Sequence, residues 1–253
     1  MDSKTALITG ASAGLGLATA TCLSKAGYRL ILLARRESRL NKLADSLPTD
    51  CHIIACDINN FDELVSKLDQ RPDDFKDIDL LVNNAGLALG LETADKADWN
   101  EWQTMIQTNC MALAFLTRTL LPAMVERNKG HIVNLGSSAG IYAYKGGNVY
   151  GATKAFVDQF TMNLRTDLIG KKIRVTNLAP GLVGDTEFSH IRFNGDAEKA
   201  NEVYDGCDAL TPEDIANSVL WVATLPEHMN INRMEIMPTC QAPGGLVVDR
   251  TMQ

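Results

Sequence analysis

The stretch Thr5-Ala6-Leu7-Ile8-Thr9-Gly10-Ala11-Ser12-Ala13-Gly14-Leu15-Gly16 decides the fold. Its apolar first half is typical of a short buried strand, and the residues that follow have helical periodicity. The glycines give the spacing Thr-Gly-x-x-x-Gly-x-Gly, which differs from G-x-G-x-x-G. An isolated match would fit an ordinary glycine-rich turn about equally well. Between a strand and a helix, however, such a turn lets backbone N–H groups approach a pyrophosphate at the helix N-terminus.

Six further apolar runs follow the first strand, and each is preceded by a segment with a helical pattern. They cover residues 29–34, 52–56, 79–83, 131–135, 174–178 and 233–237. Short, continuous apolar runs of this kind predict parallel strands that are covered by helices on both faces. We therefore predict an α/β fold with a doubly wound, seven-stranded parallel sheet. No linker or internal repeat divides the chain, so residues 1–253 are expected to form a single domain.

The bulk properties restrict the partners. The chain has 253 residues and a formal net charge of −7, which gives no general attraction to nucleic acid or to an anionic membrane. No run of about 18 apolar residues was recognised, and residues 4–10 already fit the first strand rather than a signal peptide, so we expect a cytoplasmic protein. The six cysteines lack metal-ligand spacing, and we expect reduced thiols and no metal.

Tyr150 and Lys154 lie one helical turn apart on a predicted helix. A free phenol titrates near pH ~10, and a fixed ammonium beside it favours the phenolate. We therefore expect Lys154 to lower the pKa of Tyr150 and to make it a proton donor near neutral pH. Taken alone, the two residues would more often be a solvated surface pair.

Three further motifs accompany this pair. Asn83-Asn84-Ala85-Gly86 follows a predicted strand, Asn109 lies in a later helix, and Gly136-Ser137-Ser138 follows another strand. Together with the glycine turn, these motifs resemble the short-chain dehydrogenase/reductase family in type and in order, from about residue 4 to about residue 237. The resemblance implies a Rossmann-type fold and hydride transfer with a nicotinamide cofactor.

Four stretches resemble one subgroup, the NADP-dependent 3-hydroxy acid dehydrogenases, which includes serine 3-dehydrogenases and L-allo-threonine dehydrogenases. They are residues 83–90, 147–154, 180–188 and 230–232. The resemblance implies oxidation of the 3-hydroxyl, or reduction of the 3-oxo group, of a small hydroxy or amino acid. A general carbonyl or 3-oxoacyl-thioester reductase is the alternative. A non-catalytic NADP-binding regulator is the second alternative, although such proteins usually lose the tyrosine or the lysine.

The catalytic residues implied by the resemblance are Asn109, Ser137, Tyr150 and Lys154. Ser137 and Tyr150 are expected to hold the reacting oxygen, because hydride transfer to a carbonyl needs hydrogen-bond donors and a proton. Ser138 could instead cap the turn, and the family spacing favours Ser137 as the catalytic serine. Lys154 is expected to bind the nicotinamide ribose. Asn109 is expected to anchor a water relay, or to be a polar residue that interrupts a helix.

The cofactor preference is predicted from Ala34-Arg35-Arg36-Glu37, about 20 residues after the glycine turn. An NAD enzyme carries an acid here for the ribose 2′-hydroxyl, whereas guanidinium groups bind a 2′-phosphate. We therefore predict NADP. In the alternative, Arg35 and Arg36 are solvated and Glu37 binds the ribose, but Glu37 better fits the acidic first turn of a helix.

The remaining cofactor contacts are predicted at four places. The glycine turn binds the pyrophosphate, and the segments after the third, fourth and sixth strands contact the adenine, the adenosine side of the cleft and the carboxamide. The residues are Gly10, Ser12, Ala13, Gly14, Leu15 and Gly16; Asp57 and Ile58; Asn83, Asn84, Ala85 and Gly86; and Pro180, Gly181, Val183 and Thr186.

A segment with weak periodicity, about residues 182–207, is expected to form a substrate lid. It contains Arg192 between apolar residues, and we predict that this guanidinium binds the substrate carboxylate. Alternatively, Arg192 points to water while its stem covers the lid; Lys145 and Arg250 are rival cations. The family resemblance also implies a homotetramer through the helices that carry Asn109 and Tyr150, with residues 111–116 in the interface or in the core.

Overall fold

The computed structural model describes residues 4–244, and its seven strands form one parallel sheet. The strand order is β3-β2-β1-β4-β5-β6-β7, which confirms the predicted doubly wound sheet. The strand ends lie within two residues of the predicted ones. The bounds are β1 Thr5–Thr9, β2 Arg29–Ala34, β3 Cys51–Ala55, β4 Leu80–Asn83, β5 Gly130–Leu135, β6 Ile173–Pro180 and β7 Arg233–Ile236.

The helices cover both faces of this sheet. Their bounds are α1 Gly14–Lys25, α2 Glu37–Ser46, α3 Phe61–Asp69, α4 Trp99–Ile106, α5 Leu113–Arg127, α6 Asn148–Asp167, α7 Phe188–Arg192, α8 Ala197–Glu202 and α9 Pro212–Thr224. Helices α1, α2 and α9 share one apolar core with the sheet, and α3, α5 and α6 share the other. Successive residues of β1 alternate between the two cores, since Ala6 and Ile8 face one and Leu7 the other. The three central residues of the strand are therefore all apolar, and Thr5 and Thr9 at its ends are buried as well.

The sheet reverses its winding direction beside β1. This strand pairs with β2 on one side and with β4 on the other. In such sheets a crevice opens at the carboxyl ends of the strands where the winding reverses. The glycine turn after β1 and the segments after β4, β5 and β6 consequently meet at one edge.

Helices α4 and α5 form one continuous helical run, joined by a π-helical turn at Gln107–Ala112. The run Trp99–Arg127 is long and apolar enough to cross a membrane by length and composition alone. Core helices of soluble folds pass the same test. Here the α5 side chains of Leu116, Leu120 and Met124 are buried against the sheet.

The predicted lid segment contains two short helices, α7 and α8. Its two ends lie close together, since Val183 near its start forms an isolated parallel bridge with Leu210, three residues past its end. Two backbone hydrogen bonds, from Gly184 N to Leu210 O and from Leu210 N to Leu182 O, strengthen this contact. The segment is therefore an excursion of the chain whose ends are held together.

Candidate active site

The glycine turn leaves the N-terminus of α1 open to an anion. The N-cap residue is Ala13, whose side chain makes no capping hydrogen bond, and the first turn of the helix contains no acidic residue. Backbone N–H groups at such an end need partners, and a phosphate supplies them together with a favourable charge. A Cβ on Gly10, which has φ +67°, would lie 2.9 Å from Asn84 Nδ2. The turn therefore fits the pyrophosphate of a dinucleotide.

A single cleft at the carboxyl edge of the sheet brings most of the predicted site residues together. The cleft-lining residues from the predicted set are Gly10, Ser12, Ala13, Gly14, Leu15, Arg35, Arg36, Asp57, Ile58, Asn84, Ala85, Gly86, Ser137, Tyr150, Lys154, Pro180, Gly181, Val183, Thr186 and Arg192. Gly16, Asn83 and Asn109 were predicted as site residues and do not line it.

Gly16 has a packing role behind the cleft. A Cβ at this position would lie 2.3 Å from Gly10 O and 2.6 Å from Asn84 Nδ2. The glycine lets α1 pack closely against the turn, so its contribution to a phosphate site is indirect.

Asn83 is a core residue of the sheet and not part of the adenosine side of the cleft. It is 3% exposed, and its Nδ2 donates to Thr117 Oγ1 at 3.0 Å and to Asn134 Oδ1 at 2.8 Å. Asn134 in turn donates to Thr161 Oγ1. The last residue of β4 points into this polar network, whereas the next residue, Asn84, turns back toward the glycine loop.

Asn109 lies in the π-helical turn, as expected for a polar residue that interrupts a helix. Its amide makes paired hydrogen bonds with the backbone of Leu87, with Oδ1 accepting from Leu87 N and Nδ2 donating to Leu87 O. Nδ2 also donates to Thr153 Oγ1. These bonds fix the chain after β4 against α6. The expected water relay at Asn109 stays a prediction, because the recorded bonds serve this structural contact.

Ser137 and Tyr150 approach each other in the cleft. Burial raises the pKa of Tyr150 to about 12, while a hydrogen bond with Ser137 and the charge of Arg192 oppose that rise. Ser137 Oγ also accepts from Ala139 N at 3.1 Å and thus caps the short turn after β5. Ser138, the alternative candidate, does not provide this cap.

Lys154 reaches the same space from one turn further along α6. Its Nζ donates to Leu135 O at 2.7 Å and lies 6.0 Å from the centroid of the Tyr150 ring. Burial lowers the pKa of Lys154 to about 8. We expected Lys154 to lower the pKa of Tyr150. Burial of the phenol instead raises that pKa, and the groups that oppose the rise are Ser137 and Arg192 rather than Lys154.

Arg192 points into the cleft and is only 8% exposed, so the alternative in which it points to water was wrong. Its Nε donates to Gly90 O at 3.2 Å, and its Nη2 donates to Tyr144 OH at 2.9 Å. The guanidinium carbon lies 5.6 Å from the centroid of the Tyr150 ring. Of the rival cations, Lys145 is exposed and does not line the cleft, and Arg250 lies outside the described residues.

The arginines after β2 form an ion cluster with the lid. Arg36 donates from Nε and Nη2 to Ser12 Oγ, and its Nη1 lies 2.9 Å from Glu187 Oε2. Arg39 Nη1 contacts the other carboxylate oxygen at 2.7 Å. Hydrogen bonds from Arg39 and Arg36 lower the pKa of Glu187. Glu37, the rival ribose ligand, begins α2 and supplies its acidic first turn.

Sequence reasoning missed three residues of this cleft. Tyr144 orients Arg192, Glu187 pairs with Arg36, and the Phe188 ring lies 5.8 Å from the Tyr150 ring. Tyr144 lies outside the recognised motifs, and Glu187 and Phe188 end the recognised stretch 180–188 without an assigned role. Only Glu187 and Phe188 offered a signal, since they lie inside the predicted lid.

The sequence comparison agrees with this geometry. The model of the short chain dehydrogenase family matches residues 4–196, and the chain belongs to that family, as the motifs predicted. It is similar to the NADP-dependent 3-hydroxy acid dehydrogenase YdfG of Salmonella typhi, with 53% identity over 97% of this chain and 99% of the relative. It is also 47% identical to the serine 3-dehydrogenase of Agrobacterium fabrum, over 98% of this chain and 99% of that protein.

A solved structure described as the closed form of serine dehydrogenase complexed with NADP+ has the same fold. Its TM-score is 0.94 and its sequence is 51% identical, over 98% of this chain and 100% of that one. The match extends over nearly the whole chain.

Proposed function

We propose that this protein is an NADP-dependent dehydrogenase that acts on the 3-hydroxyl or 3-oxo group of a small hydroxy or amino acid. The named relatives support both the cofactor and the substrate class. The single observation that carries the proposal is the position of Arg192, whose buried guanidinium lies 5.6 Å from the Tyr150 ring. A cation of the type that binds carboxylates therefore lies beside the proposed proton donor.

Ser137 and Tyr150 hold the reacting oxygen of the substrate. NADP, when bound, supplies or accepts the hydride. A phenol with its pKa raised to about 12 is protonated at neutral pH, so Tyr150 can donate a proton during reduction. Oxidation requires the phenolate as the base, and this direction is favoured as the pH rises.

Lys154 has two tasks at the rear of the cleft. Its ammonium is fixed by Leu135 O at the end of β5 and binds the hydroxyls of the nicotinamide ribose. With a pKa lowered to about 8, Lys154 carries its charge at neutral pH and loses it in moderately alkaline solution. Asn109 holds the neighbouring backbone and is proposed to position a water behind Lys154.

Arg192 binds the substrate carboxylate and thereby orients the 3-hydroxyl toward Ser137 and Tyr150. Its two recorded hydrogen bonds use two of the five N–H donors of a guanidinium. The same bonds fix the plane of the group, so little side-chain entropy is lost when an acid binds. A substrate held at both its carboxylate and its hydroxyl has few remaining orientations.

Arg35 and Arg36 select NADP by pairing with its 2′-phosphate. Both residues line the cleft after β2. Arg36 is already oriented by Ser12 and Glu187. The glycine turn takes the pyrophosphate. Asp57, Ile58, Asn84, Ala85 and Gly86 contact the adenosine side, and Pro180, Gly181, Val183 and Thr186 contact the carboxamide side.

The chain acts as one domain, in which residues 182–207 form the substrate lid. All seven strands belong to one sheet, which supports this proposal. Arg192 at the end of α7 contacts Tyr144 beside the proposed catalytic residues. Glu187, the residue before α7, contacts Arg36 at the proposed 2′-phosphate site. Lid closure therefore brings the carboxylate-binding group and the arginine cluster into place together.

We also propose a homotetramer in the cytoplasm. The α4–π–α5 run and α6 carry five large apolar side chains that are exposed to solvent, and a subunit interface would bury them. They are Trp99, Ile106, Met111, Phe156 and Met162. The segment 111–116 contributes to the proposed interface and to the core. Met111 is exposed, whereas Ala112, Leu113 and Leu116 are buried. Sedimentation of the purified protein tests the oligomer, and cell fractionation tests its location.

The two alternative functions differ from this one in measurable ways. A general carbonyl or 3-oxoacyl-thioester reductase shares the catalytic residues, but its substrates lack the free carboxylate that Arg192 would bind. A non-catalytic NADP-binding regulator is disfavoured, because Tyr150 and Lys154 are both present and both line the cleft.

The decisive experiment is a substrate panel with NADP and with NAD at alkaline pH. It contains L-serine, L-allo-threonine and 3-hydroxypropionate, together with neutral alcohols of similar size; 3-oxoacyl thioesters are tested with NADPH. The proposal expects the highest kcat/KM for a 3-hydroxy acid with NADP. A higher value for the thioesters or the neutral compounds would support the reductase, and no turnover of any compound would support the regulator.

A further inference from the structure

Two cysteines from segments that are distant in the sequence are in contact. Cys207 lies at the end of the lid segment, and Cys240 lies in the loop after β7. Their Sγ atoms are 2.7 Å apart, although 33 positions separate the residues in the sequence. A disulfide bond is about 2.05 Å long, so only a small movement separates this contact from a covalent bond. We infer that Cys207 and Cys240 are a reversible disulfide-forming pair that pins the end of the lid.

The two thiols differ in accessibility, which sets the order of reaction. Cys207 is partly exposed and lines a groove between the lid and helices α1 and α2. Cys240 is buried, with 6% exposure, and its Sγ donates to Asp208 O. A small molecule therefore reaches Cys207 first, and Cys240 is placed to resolve the product.

The oxidant is a low-molecular-weight disulfide, RSSR. The thiolate of Cys207 attacks one sulfur of RSSR, forms a mixed disulfide and releases one thiol. The thiolate of Cys240 then attacks the sulfur of Cys207, and the second R group leaves as a thiol. Two electrons pass from the cysteine sulfurs to RSSR, and the two cysteine protons leave on the two RSH molecules. A small dithiol reverses both steps.

A disulfide bond between Cys207 and Cys240 would restrain the lid at its two ends. Gln241, the neighbour of Cys240, accepts a hydrogen bond from Leu182 N at 2.7 Å at the start of the lid. The loop 238–241 thus already holds one end of the segment. A disulfide to Cys207 would tie the other end to the same loop, and motions that admit substrate or release product would be restricted. Bond formation does not depend on the proposed function, whereas its effect on turnover rests on it.

Peptide mapping tests whether the bond forms. The full-length protein is treated with oxidised glutathione, the remaining thiols are blocked, and trypsin is added without reduction. Cleavage after Lys199, Arg233 and Arg250 places the two cysteines in separate peptides, 200–233 and 234–250. We expect a linked pair of these peptides that dithiothreitol separates. Glutathione on Cys207 without the linked pair, or no change in either peptide, would overturn the inference.

Two variants serve as controls. Cys240→Ser removes the resolving thiol and should leave glutathione on Cys207, whereas Cys51→Ser removes a partly exposed thiol elsewhere and should leave the linked pair unchanged. Oxidised wild-type protein and Cys51→Ser should lose kcat, and dithiothreitol should restore it. Cys240→Ser should keep its kcat under the same treatment. If the linked pair forms and kcat does not change, the pair exists but does not pin the lid, and that part of the inference is refuted.

Discussion

The Arg192→Ala variant should separate acidic from neutral substrates. The guanidinium is fixed by Gly90 O and Tyr144 OH and lies over the Tyr150 ring. Two charge-assisted hydrogen bonds to a carboxylate are worth about 3 kcal/mol at the lower end of the usual range. This corresponds to a loss of about 10²-fold in kcat/KM for L-serine.

A neutral ketone of similar size is the matched substrate. The variant also loses the contacts of Arg192 with the protein, so some loss is expected for every substrate. For the ketone we expect a smaller loss, of at most about tenfold, because the ketone makes no ionic bond with the guanidinium. The assay is kcat/KM for both substrates, followed through NADPH.

Two further variants control for a change in lid shape. Tyr144→Phe removes the Nη2 partner of Arg192 but keeps the guanidinium, so both substrates should lose a similar, small factor. Arg192→Lys keeps the charge without the fork geometry and should give an intermediate loss for the acid. An equal loss for acid and ketone in Arg192→Ala would refute carboxylate binding and leave Arg192 as a structural residue of the lid.

Three other predictions follow from the same geometry. Replacing Arg35 and Arg36 together by serine should lower the ratio of kcat/KM for NADP over NAD by at least about tenfold, since the 2′-phosphate loses charge-assisted bonds of about 1.5–3 kcal/mol each; an unchanged ratio would mean that both are surface charges. Glu187→Gln should raise that ratio, because it removes a carboxylate beside Arg36, whereas a purely mechanical role in the lid would affect both cofactors equally. Oxidation of L-serine should accelerate as the pH rises toward about 8, since burial raises the pKa of Tyr150 to about 12 and the phenolate is the base. Above the pKa of Lys154, about 8, the rise should flatten, because Lys154 loses the charge that binds the ribose. In Arg192→Gln this profile should move to higher pH, because the positive charge that favours the phenolate is lost; a shift to lower pH would contradict the electrostatic assignment.

The features that the sequence predicted well are those encoded by neighbouring residues. The strands are buried on both faces and are therefore visible as apolar runs, and the glycine turn has a backbone requirement that few other residues meet. The start of α9 is encoded locally as well, since Thr211 and Asp214 form a capping box and Pro212 occupies the first helical position.

The features that the sequence did not predict depend on contacts between distant segments. Asn83 belongs to a motif, but its direction follows from the pleat of β4, which turns it into the polar core beside Asn134. The pairing of Glu187 with Arg39 joins residues 148 positions apart, and no local pattern specifies it. The burial of Tyr150, which decides the direction of its pKa shift, likewise depends on the packing of the lid, including Phe188.

The most direct test of the central assignment is the Tyr150→Phe variant, measured for both turnover and NADP binding. The substitution removes the proposed proton donor and keeps the ring that packs against Phe188. We predict a fall in kcat of about 10²–10⁴-fold, the usual contribution of a general acid or base, with the Kd for NADP unchanged in a cofactor titration. Retention of more than about a tenth of the wild-type rate, on that scale, would contradict the role of Tyr150 and with it the proposed mechanism.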